Sequence, residues 1–262
     1  MRQSVATRIH ETAIVDPTAQ LDDDVEIGPY AIIGPSVRVG AGTRIMSHAV
    51  IVRDATIGER CEIHYGAVVG GDPQDKKYEG EHTVCMVGND TVIREYATIS
   101  RGTRALGRTQ VGDGCLLMAY VHVAHDCQVG DGVILSNSVG LAGHVHIDDK
   151  AIVGGMSGIH QFTRVGAFAF VGGMAKVIKD IPPYVKADGV PARLYGLNNI
   201  GLQRAGFSPE VRAELRKAYR LFFRSDLNVH RALERAHAEL AQLPEVQTFV
   251  RFIEASERGV AV

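Results

Sequence analysis

The stretch Val129-Gly130-Asp131-Gly132-Val133-Ile134-Leu135-Ser136-Asn137-Ser138-Val139-Gly140-Leu141-Ala142-Gly143-His144-Val145-His146-Ile147 places an aliphatic residue at every sixth position: Val129, Leu135, Leu141 and Ile147. The same phase runs outward without a slip from Ile9 to Val177, where each such position is Ile, Val or Leu except Asp75, Glu81 and Ala105. Four residues after each aliphatic stands a small or modest one, as at Ala31, Val37, Thr43, Ala49, Ala55 and Cys61. A period of six fits neither an α-helix nor a simple alternating strand. It is the pattern of a hexapeptide β-helix, in which no coil buries its own core and each must stack on its neighbours. Three hexads close one triangular coil. The aliphatic is expected to fill the interior and the small residue to pack beside it. The glycine that often follows the aliphatic, as in Ile33-Gly34 and Val153-Gly154, is expected to supply a left-handed backbone at the vertex.

The repeat is interrupted twice. Residues 72–82 are polar and loop-like, and 101–108 form a shorter break. If the first adds twelve residues and the second six, Gly71, Arg101 and His125 fall in one vertical column at one vertex. Loops of solenoids carry function on one face, so that column marks the place to look. After Val177 the pattern stops at Asp180-Ile181-Pro182-Pro183-Tyr184. From Ser208 the period becomes helical: Ser208 caps, Pro209 suits the first turn, and Val211, Leu215, Tyr219 and Phe222 make one apolar stripe. Further helices are expected over about 227–241 and 244–257. The fold class is therefore mostly β: a left-handed parallel β-helix over 1–185, with loops near 72–82 and 101–108, followed by a small α-helical domain over 186–262.

Composition narrows the function classes. The chain has 262 residues and a net charge of −2, which gives no drive toward nucleic acid or anionic lipid. Glycine is abundant and Trp absent, as suits a thin-cored solenoid. Cys61, Cys85, Cys115 and Cys127 share the small-residue phase and read as core fillers, without the paired spacing of a zinc site. Met1-Arg2-Gln3-Ser4 has no apolar segment behind it; no signal peptide or membrane insertion is read, and the expected location is the cytoplasm.

The chemistry-bearing residues are His122, His125, His144 and His160. Neighbouring coils rise by about 4.8 Å, so positions 125, 143 and 161 stack, and three of these histidines gather near one vertex over two steps. Imidazole exchanges a proton near neutrality, which suits a general base. His125 is the best candidate, Asp126 is the candidate to orient its ring, and the bare N–H of Gly143, one coil on, is the candidate oxyanion donor. Competing readings are scattered surface histidines and a metal site; the cluster lacks an evident carboxylate at matched spacing, so no metal and no cofactor are assigned.

Several segments together resemble a known family. They are Gln74-Asp75-Lys76-Lys77-Tyr78, Ala124-His125-Asp126-Cys127, Leu141-Ala142-Gly143-His144, Gly154-Gly155-Met156 with His160-Gln161-Phe162, Asp180-Ile181-Pro182-Pro183-Tyr184-Val185 and Arg204-Ala205-Gly206-Phe207-Ser208. They look like the UDP-N-acetylglucosamine O-acyltransferases that start lipid A synthesis, and the resemblance spans essentially the whole chain. It implies a homotrimer with sites between subunits, and transfer of a (R)-3-hydroxyacyl group from acyl carrier protein to the 3-position of UDP-N-acetylglucosamine. It implies His125 as base and Gly143 as oxyanion donor, with His122, His144 and His160 lining the cleft. Asp75 and Lys77 would reach the sugar nucleotide from the adjacent subunit. Gln161 would lie near the donor's pantetheine arm, Asn198 and Arg204 would hold the nucleotide, and Gly173 would leave the acyl groove open to longer chains. Ser100, Ile200, Ala205 and the Gly189-Val190-Pro191-Ala192-Arg193 turn depart from the family pattern. The turn resembles that of acetyl-CoA-using relatives, so an acetyl-CoA-dependent hexapeptide transferase and a 3-amino UDP-sugar acceptor stand as alternatives.

Overall fold

The computed structural model describes residues 6–262; the Met1-Arg2-Gln3-Ser4 segment read above lies outside the described residues. Short strands stack into three sheets, of 11, 9 and 8 strands, parallel except for the last strand of the first, which form the sides of a left-handed parallel β-helix. The regular step between coils is 18 residues, as from Thr12 to Tyr30. It becomes 30 across the first loop, from Glu59 to Asn89, and 24 across the second, from Asn89 to Asp113. The two loops therefore add twelve and six residues, and the stacking resumes in phase beyond them: Val69 pairs with Ile99, Ile99 with Val123, Val123 with Leu141 and Leu141 with Ile159.

The interior holds the sixth-position aliphatics and the small residues between them, from Val25 and Ile27 up to Ala175 and Val177, all buried. The four cysteines are buried among them. The vertices are built differently from the expectation. The left-handed residue lies three places after the aliphatic and is seldom glycine: Tyr30, His48, Tyr96, Asp126, His144 and Phe162 all have φ near +60°. The glycine directly after the aliphatic serves another need. A Cβ on Gly34 would lie 1.6 Å from the Val52 carbonyl oxygen, because the next coil's backbone passes against it. Close approach of stacked backbones, not left-handed φ, selects glycine there.

The sequence reading began the helical part at residue 186, but strand continues beyond that point. Val185–Asp188 extends the first sheet by pairing with Phe170–Val171, and Arg193–Leu197 turns back antiparallel on it. Four helices follow: α1 (Asn199–Arg204), α2 (Pro209–Phe223), α3 (Val229–Glu239) and α4 (Pro244–Glu254). Ser208 caps α2 by accepting from the Val211 N–H, and Leu215, Tyr219 and Phe222 are buried as the stripe required. The short α1 carries no stripe long enough to be seen in the sequence. The tail is tied to the last coil: Asp180 accepts from the Arg164 N–H (2.8 Å) and the Ser256 hydroxyl (2.7 Å), and the Arg164 guanidinium lies 4.5 Å over the Phe252 ring. No helix among the described residues is long and apolar enough to cross a membrane.

Candidate active site

A cleft of about 970 Å³ opens beside the vertex that follows the second sheet. Its walls include His122, His125, Gly143, His144, His160 and Gln161, so the fold brings together the histidines and their neighbours on one surface. Gln74, Asp75, Lys76 and Lys77 close it from the first loop of the same chain. The sequence reading had Asp75 and Lys77 arriving from an adjacent subunit; the loop is instead long enough to fold back over its own solenoid.

His125 sits two places after the buried Val123, half-buried at the vertex. Its Nδ1 lies 2.8 Å from Asp126 Oδ2. Asp126 is buried, with its backbone in the left-handed region (φ 59°). That turn rotates its carboxylate inward and beneath the neighbouring ring, so two adjacent residues meet rather than diverge. Burial opposes ionisation of Asp126, but hydrogen bonds from Thr103 and His125 outweigh it and hold the carboxyl below its ordinary value. The carboxylate therefore accepts, and His125 Nδ1 must carry the proton. In the neutral ring that tautomer turns the Nε2 lone pair to the cleft.

Gly143 lies over that ring. A Cβ there would come within 2.5 Å of His125 Cε1 and 2.7 Å of Nε2. The Gly143 N–H donates to no acceptor among the described residues, which leaves a free donor beside His125. His144 stacks on Phe162 at 4.4 Å, meets His125 edge-on at 5.1 Å between centroids, and has its Nε2 3.7 Å from Asp126. His122 is held by Thr98 Oγ1 at 2.7 Å. Burial lowers the basicity of His122 and, despite the nearby Asp126, of His144. Burial thus favours the neutral form of both rings. His160 is exposed at the rim, its Nδ1 3.1 Å from the Gln161 carbonyl.

A carboxylate does stand among the histidines, contrary to the sequence reading. His125, Asp126 and His144 offer ligand atoms within 4.8 Å of one another, the one such group among the described residues. The Asp126 oxygens are already engaged by Thr103, Leu106 and His125, so a metal there would have to displace a formed network.

Three expected residues lie outside this cleft within the single chain: Gly173, Asn198 and Arg204. Gly173 is exposed at another vertex, the one between the first and second sheets, beside Gly155. Asn198 spends its amide locally, capping α1 through the Gly201 N–H and donating to the Phe168 carbonyl. Arg204 is exposed at the end of α1.

Sequence reasoning also missed residues. Phe162 was quoted only as part of a motif, yet it is the platform under His144. Arg101 was placed in the vertex column but is fully buried rather than outward-facing. It donates to the Gly70 carbonyl, Asp72 and the Tyr78 hydroxyl, and so clasps the first loop. The strip beyond His122 is bare: Gly140 and Gly158 follow it in the second sheet, and a Cβ on either would meet nothing within 4 Å.

Comparisons with known proteins agree with this fold. The family described as Udp N-acetylglucosamine O-acyltransferase, domain 2, matches residues 180–261. The bacterial transferase hexapeptide family (six repeats) matches 108–143, and the GMPPB C-terminal domain family matches 9–106. The acyl-[acyl-carrier-protein]–UDP-N-acetylglucosamine O-acyltransferase of Aquifex aeolicus is 58% identical over 97% of this chain and 98% of its own length. That of Chlorobaculum parvum is 58% identical over 96% of each. Among solved structures, the UDP-N-acetylglucosamine acyltransferase of Bacteroides fragilis superposes with a TM-score of 0.96 at 42% identity, covering 97% of this chain and 100% of that one. LpxA from Acinetobacter baumannii gives 0.94 at 46% identity, covering 97% and 99%.

Proposed function

The chain belongs to the acyl-[acyl-carrier-protein]–UDP-N-acetylglucosamine O-acyltransferase family, and from that premise we propose how its cleft performs the reaction. The transfer moves a (R)-3-hydroxyacyl group from acyl carrier protein to the 3-position of UDP-N-acetylglucosamine, the first step of lipid A synthesis. His125 Nε2 takes the proton of the sugar hydroxyl as its oxygen attacks the thioester carbonyl. The Gly143 N–H receives the resulting oxyanion. The C–S bond then breaks, and protonated His125 returns the proton to the departing thiolate. General base catalysis of this kind contributes on the order of 10²–10⁴ in rate, and an oxyanion donor roughly 10²–10³.

The observation that carries this reading is the Asp126–His125–Gly143 stack: an imidazole bonded through Nδ1 to a buried carboxylate, with an unpaired N–H one coil on. The open side of the cleft supports the remaining roles. Asp75 and Lys77 stand where a sugar diphosphate entering beside His125 would meet them, with His122, His144 and His160 around the sugar. The bare strip of Gly140 and Gly158 gives an extended donor arm a floor, and Gln161 stands at its edge.

The assembly we propose is a homotrimer. Beyond the ion-paired Arg8, Glu26, Arg44 and Glu62 of the early coils, the outward side of the first sheet is aliphatic, with Val92, Leu116, Ile134 and Ile152 half-buried in one line. The adjoining vertex exposes Tyr96, Tyr120, Met156 and Met174. The third sheet instead turns Gln110 and Gln128 outward. An apolar vertex with an apolar flank fits a three-fold axis, which gives three equal clefts, each closed by a neighbour's first sheet. Gly173, on that vertex, would then border the acyl groove. Asn198 would fix α1 so that Arg204 meets the nucleotide. The antiparallel strand Arg193–Leu197 and the helices after it would serve this nucleotide end, and the solenoid the chemistry. Both substrates are water-borne, which supports a cytoplasmic setting.

The test is His125→Ala assayed by thiol release with a 3-hydroxyacyl carrier protein and with acetyl-CoA. The expected result is a loss of about 10²–10⁴ in kcat with the fold intact, and turnover of the wild type only with the carrier protein. A variant that keeps a tenth of the rate, or efficient use of acetyl-CoA, overturns the reading.

A further inference from the structure

We infer that Thr103, on the second loop, is a positioning residue for the base, acting on His125 through Asp126. This rests on His125 being the base. Asp126 hangs from the loop. Its Oδ1 accepts from the backbone N–H of Thr103 (2.9 Å) and of Leu106 (3.3 Å). Its Oδ2 is shared between the Thr103 hydroxyl (2.6 Å) and His125 Nδ1 (2.8 Å). The hydroxyl's own direction is set in turn, because Thr103 Oγ1 accepts from the Ala105 N–H (3.3 Å), which leaves the hydroxyl proton for Asp126. Thr103 and Asp126 are both buried, so water does not compete for these bonds.

The consequence is a relay of orientation. Ala105 N–H fixes the Thr103 hydroxyl, the hydroxyl fixes the plane of the carboxylate, and the carboxylate fixes the Nδ1–H tautomer and the tilt of the imidazole. Only in that tilt does Nε2 face the cleft beside Gly143. A charge-assisted bond of this length in a buried site is among the stronger ones. Thr103 lies in the six-residue insertion and touches no part of the cleft itself. Its effect should therefore appear in kcat and leave substrate binding alone.

Thr103→Val keeps the shape and removes the hydroxyl. The expected result is a fall in kcat of roughly ten- to a hundredfold, with KM for the nucleotide sugar within about twofold, as the loss of one hydrogen bond to a buried charge implies. Thr103→Ser restores the hydroxyl and should recover most of the rate. In an Asp126→Asn background, Thr103→Val should add little, since both act on one relay. If Val is not accommodated, Thr103→Ala carries the same expectations. Full kcat in both the Val and Ala variants, a Ser variant no better than Val, or full additivity with Asp126→Asn each overturns the inference. His125→Ala separates the two readings: if it keeps its rate, the base is misassigned; if it is inactive while Thr103→Val is not impaired, only the positioning role fails.

Discussion

At the scale of single residues, the site depends on how closely Gly143 approaches His125. A methyl group there would sit 2.5 Å from His125 Cε1, well inside van der Waals contact, and the ring is the part able to move. Moving it breaks the 2.8 Å bond to Asp126 and turns Nε2 away from the cleft. Gly143 has no left-handed φ, so the backbone itself tolerates alanine. Gly143→Ala should therefore retain the folded state while kcat drops by about 10² or more, the scale of a misplaced general base. Steady-state rates with a thermal melt check this; a melt lowered by many degrees with kcat preserved would mean that the glycine serves packing alone. The same logic explains why His144 tolerates its left-handed turn (φ 62°): Phe162 beneath it and His125 beside it hold the ring.

At the scale of elements, the two insertions are one device. Arg101 opens the second loop and reaches back to Gly70, Asp72 and Tyr78 in the first, while the Arg104 N–H donates to Glu81 (3.1 Å). The far side of the same loop holds Asp126. One loop thus presents the first loop's Asp75 and Lys77 to the cleft and steadies the proposed base, His125. Lys77 is exposed and reaches its place only if the first loop is held. Lys77→Ala should raise KM for UDP-N-acetylglucosamine by roughly tenfold, about the value of one charge-assisted contact to a phosphate. Arg101→Met should raise it comparably, with little further change when the two are combined. Saturation curves in the nucleotide sugar decide this, and an unchanged KM in both variants would mean that the loop is a solvated excursion. This is also where legibility in the sequence ended. The six-residue period exposes the solenoid, and the lengths of the two breaks align Gly71, Arg101 and His125. Within the breaks there is no period. Nothing in the chain order announces that Thr103 meets Asp126, that Arg101 turns inward, or that Asp75 folds back onto its own coil. The role of the repeat's glycines was misread for a related reason: the sequence shows the spacing but not that the next coil's carbonyl passes 1.6 Å from where a Cβ would stand on Gly34.

At the scale of the whole molecule, the three sides of the solenoid differ, and the difference asks for partners. Tyr96, Tyr120, Met156 and Met174 are 55–68% exposed in a column, with Tyr96 and Tyr120 stacked at 5.4 Å. Each has a left-handed backbone, which costs an ordinary side chain on the order of 1–2 kcal/mol. Large apolar residues kept in water at a backbone cost gain nothing for a lone chain. Placed against two copies of themselves around the proposed axis, they would form a core. Met156→Arg should then bring three like charges together at that axis, where little water screens them, and should shift the protein from trimer to monomer in light scattering at micromolar concentration. If a neighbour's first sheet closes each cleft as proposed, activity should fall with the trimer, although His125 and Asp126 are untouched. Gln110→Arg, the same charge on the polar third sheet, should leave both assembly and rate as they were. A Met156→Arg monomer with wild-type turnover would place the complete site within one chain. Equal disruption by Gln110→Arg would move the interface to the other side of the solenoid.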